Sequence, residues 1–170
     1  IKARRTTPYN IGRTLWLADF DPLNDDLSPF LAALHADPDI AGQLLMRILH
    51  WTGGQPYLTA RLCEAARRKG AATAAAIDAL VEHHFTSLDG LRQDAHFEQT
   101  LRFINERAAR SGDVISLYER LLKGESLPDQ AANIAYAQLK LSGLARRDGQ
   151  GRLRTRNRLY EKLFDLSWVA

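Results

Sequence analysis

The chain has 170 residues, which is enough for one large domain or two small ones with a buried core. Hydrophobic residues make up 45% and charged residues 25%, so wholesale disorder is excluded, and no run of about 18 apolar residues offers a membrane span. A net charge of +3 does not by itself demand nucleic acid, and a single cysteine, Cys63, cannot form an internal disulfide and is expected to be a buried, reduced thiol. No apolar h-region follows the basic N-terminus, so no signal peptide is expected and a cytoplasmic location is. The chain begins with Ile1 rather than Met, as expected of a piece of a longer protein.

In chain order, residues 1–23 read as an extended connector, with Pro8 biasing Thr7 away from helix and a short apolar run at 14–20. One helix is expected within 21–38, capped by Asp25 or Asp26, with Leu27, Phe30, Leu31 and Leu34 as its apolar face and Pro38 as its end. Asp39 is expected to cap the next helix, 40–51, in which Ile40, Leu44, Leu45, Ile48 and Leu49 recur at helical spacing. Gly53 and Gly54 suit a left-handed helix end, and Pro56 suits the first turn of a helix that runs to Lys69 and stops at Gly70. A fourth helix, 73–86, is capped by Thr73. Residues 24–90 thus read as a four-helix domain, closed by a connector with Ser87, Asp89 and Gly90.

Residues 91–170 form the second expected domain. A helix from Asp94 to about Arg110 carries Phe97, Leu101, Ile104 and Ala108 as an apolar stripe, and Ser111-Gly112-Asp113 breaks it. Asp113 then caps a helix to Lys123, and Pro128-Asp129 start another to Ser142, with Ala132, Ile134, Leu139 and Leu141 as its apolar side. Asp148-Gly149-Gln150-Gly151 sits between two short runs as a hairpin turn, and a last helix covers 158–166. Helix, helix, helix, hairpin, helix is the order of a winged helix-turn-helix, so the expected fold class is all-α with a small β-wing, a four-helix lid followed by a winged-helix domain.

The motifs of complete catalytic sites are missing. There is no Gly-x4-Gly-Lys-Ser/Thr, His-Glu-x-x-His, Cys-x-x-Cys or Gly-x-Ser-x-Gly, and the five histidines do not form a metal set. Adjacent His83 and His84 point in different directions on a helix. Two stretches remain. The Trp51–Leu58 corner is either a plain helix–helix turn or a place where backbone comes close to a ligand. The second stretch is basic. Between 144 and 162, seven cations face only Asp148 and Glu161, a net +5. Arg152, Arg154 and Arg156 would share one face of a strand. That hairpin is a solvated surface, a duplex-DNA wing with Arg146, Arg147, Arg152 and Arg154 at the backbone, or a phosphate site. For DNA, helix 129–142 would supply Gln130, Asn133 and Gln138 as base readers but only one cation.

These same stretches carry a family resemblance. WTGGQPYLTARLC resembles the Gly-x-Pro segment in the helical lid of AAA-like ATPases of the STAND class, and TPYNIG…LADFD resembles the join between their nucleotide-binding core and lid. Leu141-Ser142-Gly143-Leu144, Arg156-Asn157-Arg158-Leu159-Tyr160 and Phe164 with Trp168-Val169 are similar to the winged-helix end of those proteins. The resemblance implies that Pro56 packs against adenine, with Gly54 and Tyr57 nearby, and that Arg156 and Asn157 sense the phosphates. Arg156-Asn157-Arg158 stands where the family carries Met-His-Asp. It further implies the regulatory C-terminal part of a STAND-type switch, working on ATP or ADP with Mg in the full-length protein. Its partners would be its own N-terminal P-loop domain and, on activation, further copies. This segment alone would neither hydrolyse nor hold nucleotide, because the phosphate cradle is missing. The alternatives are a winged-helix DNA-binding regulator and an interaction scaffold in which Phe164 and Trp168 pack a partner.

Overall fold

The computed structural model describes residues 18–85, 94–107 and 111–169. The connector up to residue 17, the turn at Ser87, Asp89 and Gly90, and the expected helix end near Arg110 lie outside the described residues. The described residues are mostly helical, with one small antiparallel sheet near the C-terminus.

The first helix is shorter than expected. α1 spans Ser28–Leu34, and the aspartates before it build turns instead of capping it directly. Asp21 accepts from the Leu23 amide, Asp25 from the Asp21 amide and Asp26 from the Ser28 amide. Short carboxylates compete for backbone in this way wherever the chain is not already helical. Pro38 does not end α1. It opens α2, Pro38–Thr52, and the cap is Asp37, which accepts from Asp39 and Ile40. A proline at the first helical position moves the cap to the residue before it, so Asp39 falls inside the first turn.

α2 closes on Gly53 at φ 59°, whose amide reaches the Leu49 carbonyl. α3, Pro56–Lys69, starts under the Gln55 side chain, which accepts from the Leu58 amide at 2.6 Å, and ends at Gly70 at φ 60°. α4, Ala74–Phe85, is capped by Thr73 as expected. Leu44, Ile48, Leu58, Leu62, Ile77 and Val81 fill the space between these helices and are fully buried.

Asp94 caps α5, Ala95–Arg102, which passes into a π-helical turn at Phe103–Arg107. α6, Ser111–Leu122, begins at the residue expected to break a helix, and Gly112 and Asp113 lie in its first turn. α7 spans only Ile134–Leu141 and is capped by Asn133. Pro128 and Asp129 do not start it. Pro128 forms an isolated bridge with Arg152, the Asp129 amide donates to Gly151, and Leu153 donates to the Leu127 carbonyl, so this stretch lies along the hairpin. The apolar side expected for that helix is also corrected. Ala135, Tyr136 and Leu139 are buried, whereas Ile134 and Leu141 are 64% and 72% exposed.

β1, Ala145–Arg147, pairs antiparallel with β2, Leu153–Thr155, with Arg146 opposite Arg154. Asp148 organises the turn by accepting from the Gln150 and Arg152 amides. The last expected helix is two pieces, α8 at Arg158–Leu163 and α9 at Leu166–Val169, separated by Phe164 and Asp165 and capped by Asn157 and Asp165 respectively. One hydrophobic core runs through both groups of helices. Phe97 is its hub, edge-on to Phe85, Tyr160 and Phe164. Phe164 is therefore buried in its own chain, and Trp168 packs on Phe164 and Tyr118. No helix among the described residues is long and apolar enough to cross a membrane.

Candidate functional site: a three-way junction at the Gly-Gly corner

The Gly53-Gly54 corner joins three parts of the chain. From the N-terminal side, the Phe20 amide donates to the Gly54 carbonyl at 2.8 Å. Gly54 has φ 78°, and a Cβ there would collide with the Phe20 carbonyl, so only glycine fits. From the C-terminal side, Asn157 sits over Gly53, where an added Cβ would lie 3.1 Å from the Asn157 Cβ. Asn157 is spent in both directions. Its Oδ1 accepts from the Tyr160 amide at 3.0 Å, and its Nδ2 donates to the Thr52 carbonyl at 2.8 Å. A buried hydroxyl pair, Thr52 with Thr59 at 2.8 Å, fixes the two helices of the corner to each other.

Arg156 crosses the junction. Its Nη1 donates to Asp19 Oδ2 at 2.6 Å while Nη2 donates to Oδ1, a bidentate pair with both side chains about one-fifth exposed. Bidentate guanidinium–oxyanion pairing adds directional specificity to charge attraction.

Beside the corner, Tyr57 and His96 bring their rings within 5.0 Å. The Tyr57 hydroxyl donates to Asp94 at 3.3 Å, and Arg61 forms an ion pair with the same carboxylate. Asp94 is 1% exposed, so Arg61 is the charge that makes its burial tolerable. His96 Nε2 and the Tyr160 hydroxyl share a hydrogen bond of 2.8 Å. Burial, and then the nearby Arg156 and Arg61, lower the His96 pKa, and burial raises that of Tyr160. A cavity of about 190 Å³ opens behind this pair, between His96, Thr100, Phe103, Gly143 and Tyr160.

The two sets of residues singled out in the sequence, Gly54-Pro56-Tyr57 and Arg156-Asn157, lie more than 90 positions apart and meet at one junction through the contacts of Gly53, Thr52 and Asn157. Pro56 is half-buried and Tyr57 is 44% exposed, leaving an apolar edge at the corner. Arg156 supplies the oxyanion fork.

The hairpin arginines do not join this site. Arg154 pairs with Asp148 at 3.0 Å, Arg152 donates to the Ser126 hydroxyl at 2.7 Å, and the Arg147 guanidinium lies over Gly151. Arg146 is exposed on β1. Arg156 lies past the end of β2, so the expected stripe of Arg152, Arg154 and Arg156 on one strand is divided among three different partners. The residues that sequence reasoning missed are Asp19, Arg61, Asp94 as a charge partner, and Tyr160. In the sequence Asp94 stands out as a helix start, and Asp19 and Tyr160 as members of the quoted motifs, none of them with a partner.

No family model matches the chain, and no solved structure matches it. It is 33% identical over 183 aligned positions to an uncharacterized WD repeat-containing protein of Synechocystis sp.. That match takes in 100% of this chain but 15% of the relative, so the chain spans a small part of the length of the curated protein it resembles.

Proposed function

We propose that this chain is the regulatory C-terminal part of a STAND-type, AAA-like ATPase switch, a helical lid followed by a winged-helix domain that together help to clamp an adenine nucleotide. The observation that carries the proposal is the meeting of the Gly-Gly-Gln-Pro corner with Arg156-Asn157 at one junction. Pro56 and Tyr57 would hold the base, and Arg156 would answer the phosphates. A bound nucleotide supplies the differential contacts that favour one arrangement of the two helical units over another. Most of the relative's length lies outside the match, which suits a module of a larger protein.

The test is calorimetric titration of ADP into the full protein that carries this chain. Pro56→Ala and Arg156→Gln should each weaken ADP binding about tenfold, a loss of about 1.4 kcal/mol. Adenosine binding should respond to Pro56→Ala alone. ADP affinity indifferent to both substitutions refutes the proposal.

A second reading is duplex-DNA binding, favoured by the order α6, α7, hairpin, α8 and by the exposed Arg146. Against it, the outward face of α7 carries Ile134 and Leu141, and Arg154 is committed to Asp148. That reading requires salt-dependent duplex binding that Arg152→Ala with Arg154→Ala abolishes.

A further inference from the structure

Arg156 is held by a residue that precedes it by 137 positions. A guanidinium fork offers its two parallel N–H groups to one oxyanion at a time. Asp19 fills that fork in this structure, and the pair lies at the edge of the molecule, 20% and 24% exposed, where a small anion can reach it. The neighbouring Asn157 has no such freedom, since it is buried and its two polar ends hold Tyr160 and Thr52. Of the two, Arg156 is the one able to change partners without uncapping a helix.

Asp19 belongs to the segment that enters the lid from upstream. That segment has a second tie one residue later, where the Phe20 amide holds the Gly54 carbonyl at 2.8 Å and the Phe20 ring stands edge-on to Phe30 at 5.2 Å. Release of Asp19 therefore removes one of two adjacent anchors and loads the other.

We propose that Asp19 is an internal occupant of a phosphate-binding arginine, so that a diphosphate group and Asp19 compete for Arg156 and anion capture unlatches the Asp19-Phe20 segment. This rests on reading the corner as a nucleotide site, because that reading is what brings a diphosphate to Arg156. Linkage makes the effect reciprocal. The factor by which Asp19 weakens anion binding equals the factor by which the anion weakens docking of Asp19.

The experiment is calorimetric titration of inorganic pyrophosphate into the 170-residue chain and its variants, together with deuterium exchange at the Phe20 amide. Asp19→Asn keeps the size of the side chain and removes its charge. It should bind pyrophosphate about tenfold more tightly than the native chain. Arg156→Gln should abolish binding in either background. In the native chain, saturating pyrophosphate should speed exchange of the Phe20 amide.

An Asp19→Asn affinity equal to or weaker than native overturns the proposal, as does binding that survives Arg156→Gln, which would place the anion on the hairpin arginines. Should Asp19→Asn fold poorly, the exchange measurement decides: an unchanged Phe20 rate at saturation overturns the latch. The two proposals fail separately. ADP binding by the full protein that is sensitive to Pro56→Ala but equal in native and Asp19→Asn forms keeps the nucleotide site and removes the latch. A tenfold gain for pyrophosphate in the 170-residue chain, with ADP binding by the full protein indifferent to Pro56→Ala, keeps the latch and removes the adenine site.

Discussion

Gly54→Ala is the substitution that most directly probes the junction. Two separate penalties act at this position. An alanine at φ 78° occupies left-handed backbone, which costs about 1–2 kcal/mol, partly offset by about 0.4–1 kcal/mol of lost unfolded-chain entropy. Its Cβ also meets the Phe20 backbone from carbonyl to amide, so Phe20 must move. That movement gives up the Phe20–Gly54 hydrogen bond, worth about 1 kcal/mol, and the edge contact with Phe30, worth about 0.5–1.5 kcal/mol. The expected loss is about 3 kcal/mol in all. Gly70→Ala is the control. It has nearly the same backbone, φ 60°, with nothing within 4 Å of the added methyl, so only the conformational penalty of about 1 kcal/mol applies. Gly53→Ala falls between them, because the neighbour at 3.1 Å is the Asn157 side chain. Urea unfolding of the three variants, read as midpoints at constant slope, measures the differences. A Gly54→Ala chain no less stable than Gly70→Ala would refute the claim that Phe20 is seated on this corner.

Other outcomes follow from the same geometry. Asn157→Ala should cost about 2 kcal/mol, since it removes a helix cap and the donor to Thr52 together; Asn157→Asp restores the cap acceptor but not the donor, so denaturation midpoints should show only partial recovery. Burial pushes the Cys63 thiol up to about 12, so its reaction with a disulfide reagent near neutral pH should proceed only through unfolding; labelling faster than unfolding contradicts the packing. The His96 pKa is lowered in the folded chain, so the unfolded chain binds its proton first as pH falls. The stability His96 contributes is complete above the ordinary imidazole value of about 6.5 and declines as pH drops toward the lower folded value. Urea midpoints at pH 7 and pH 5 should therefore differ by more in the native chain than in His96→Gln, and equal differences would exclude His96 as the titrating group.

The Gly-Gly-Gln-Pro corner was legible because its chemistry is local. Glycines at left-handed positions and a proline at the first helical residue announce themselves within a few positions. The same logic misplaced two boundaries. Pro38 was read as a stop when it is a start, a matter of which neighbouring aspartate caps. Pro128-Asp129 looks like a helix start, yet Leu127 and Pro128 are drawn along the hairpin by Leu153 and Arg152, partners that lie about 25 residues ahead. Periodicity located the buried Leu139 but counted Ile134 and Leu141 with it, because hydrophobicity alone does not say which side of a short helix meets the core. In the candidate site, Pro56 and Arg156 could be singled out by type and setting. Asp19 could not, since an ion pair across 137 residues leaves no trace in spacing or composition.

The span of that ion pair also orders events during synthesis. Domains form as the chain emerges from its N-terminal end. The four helices that enclose Leu44, Leu62 and Val81 hold all of their mutual contacts within residues 28–85 and can pack early. Asp19 is made before any of them, yet its guanidinium partner lies 137 residues further on, next to the asparagine that covers Gly53. The segment before α1 is thus left with only its Phe20 anchor until the hairpin and the residues that follow it have been made, so its final docking waits on an element far downstream.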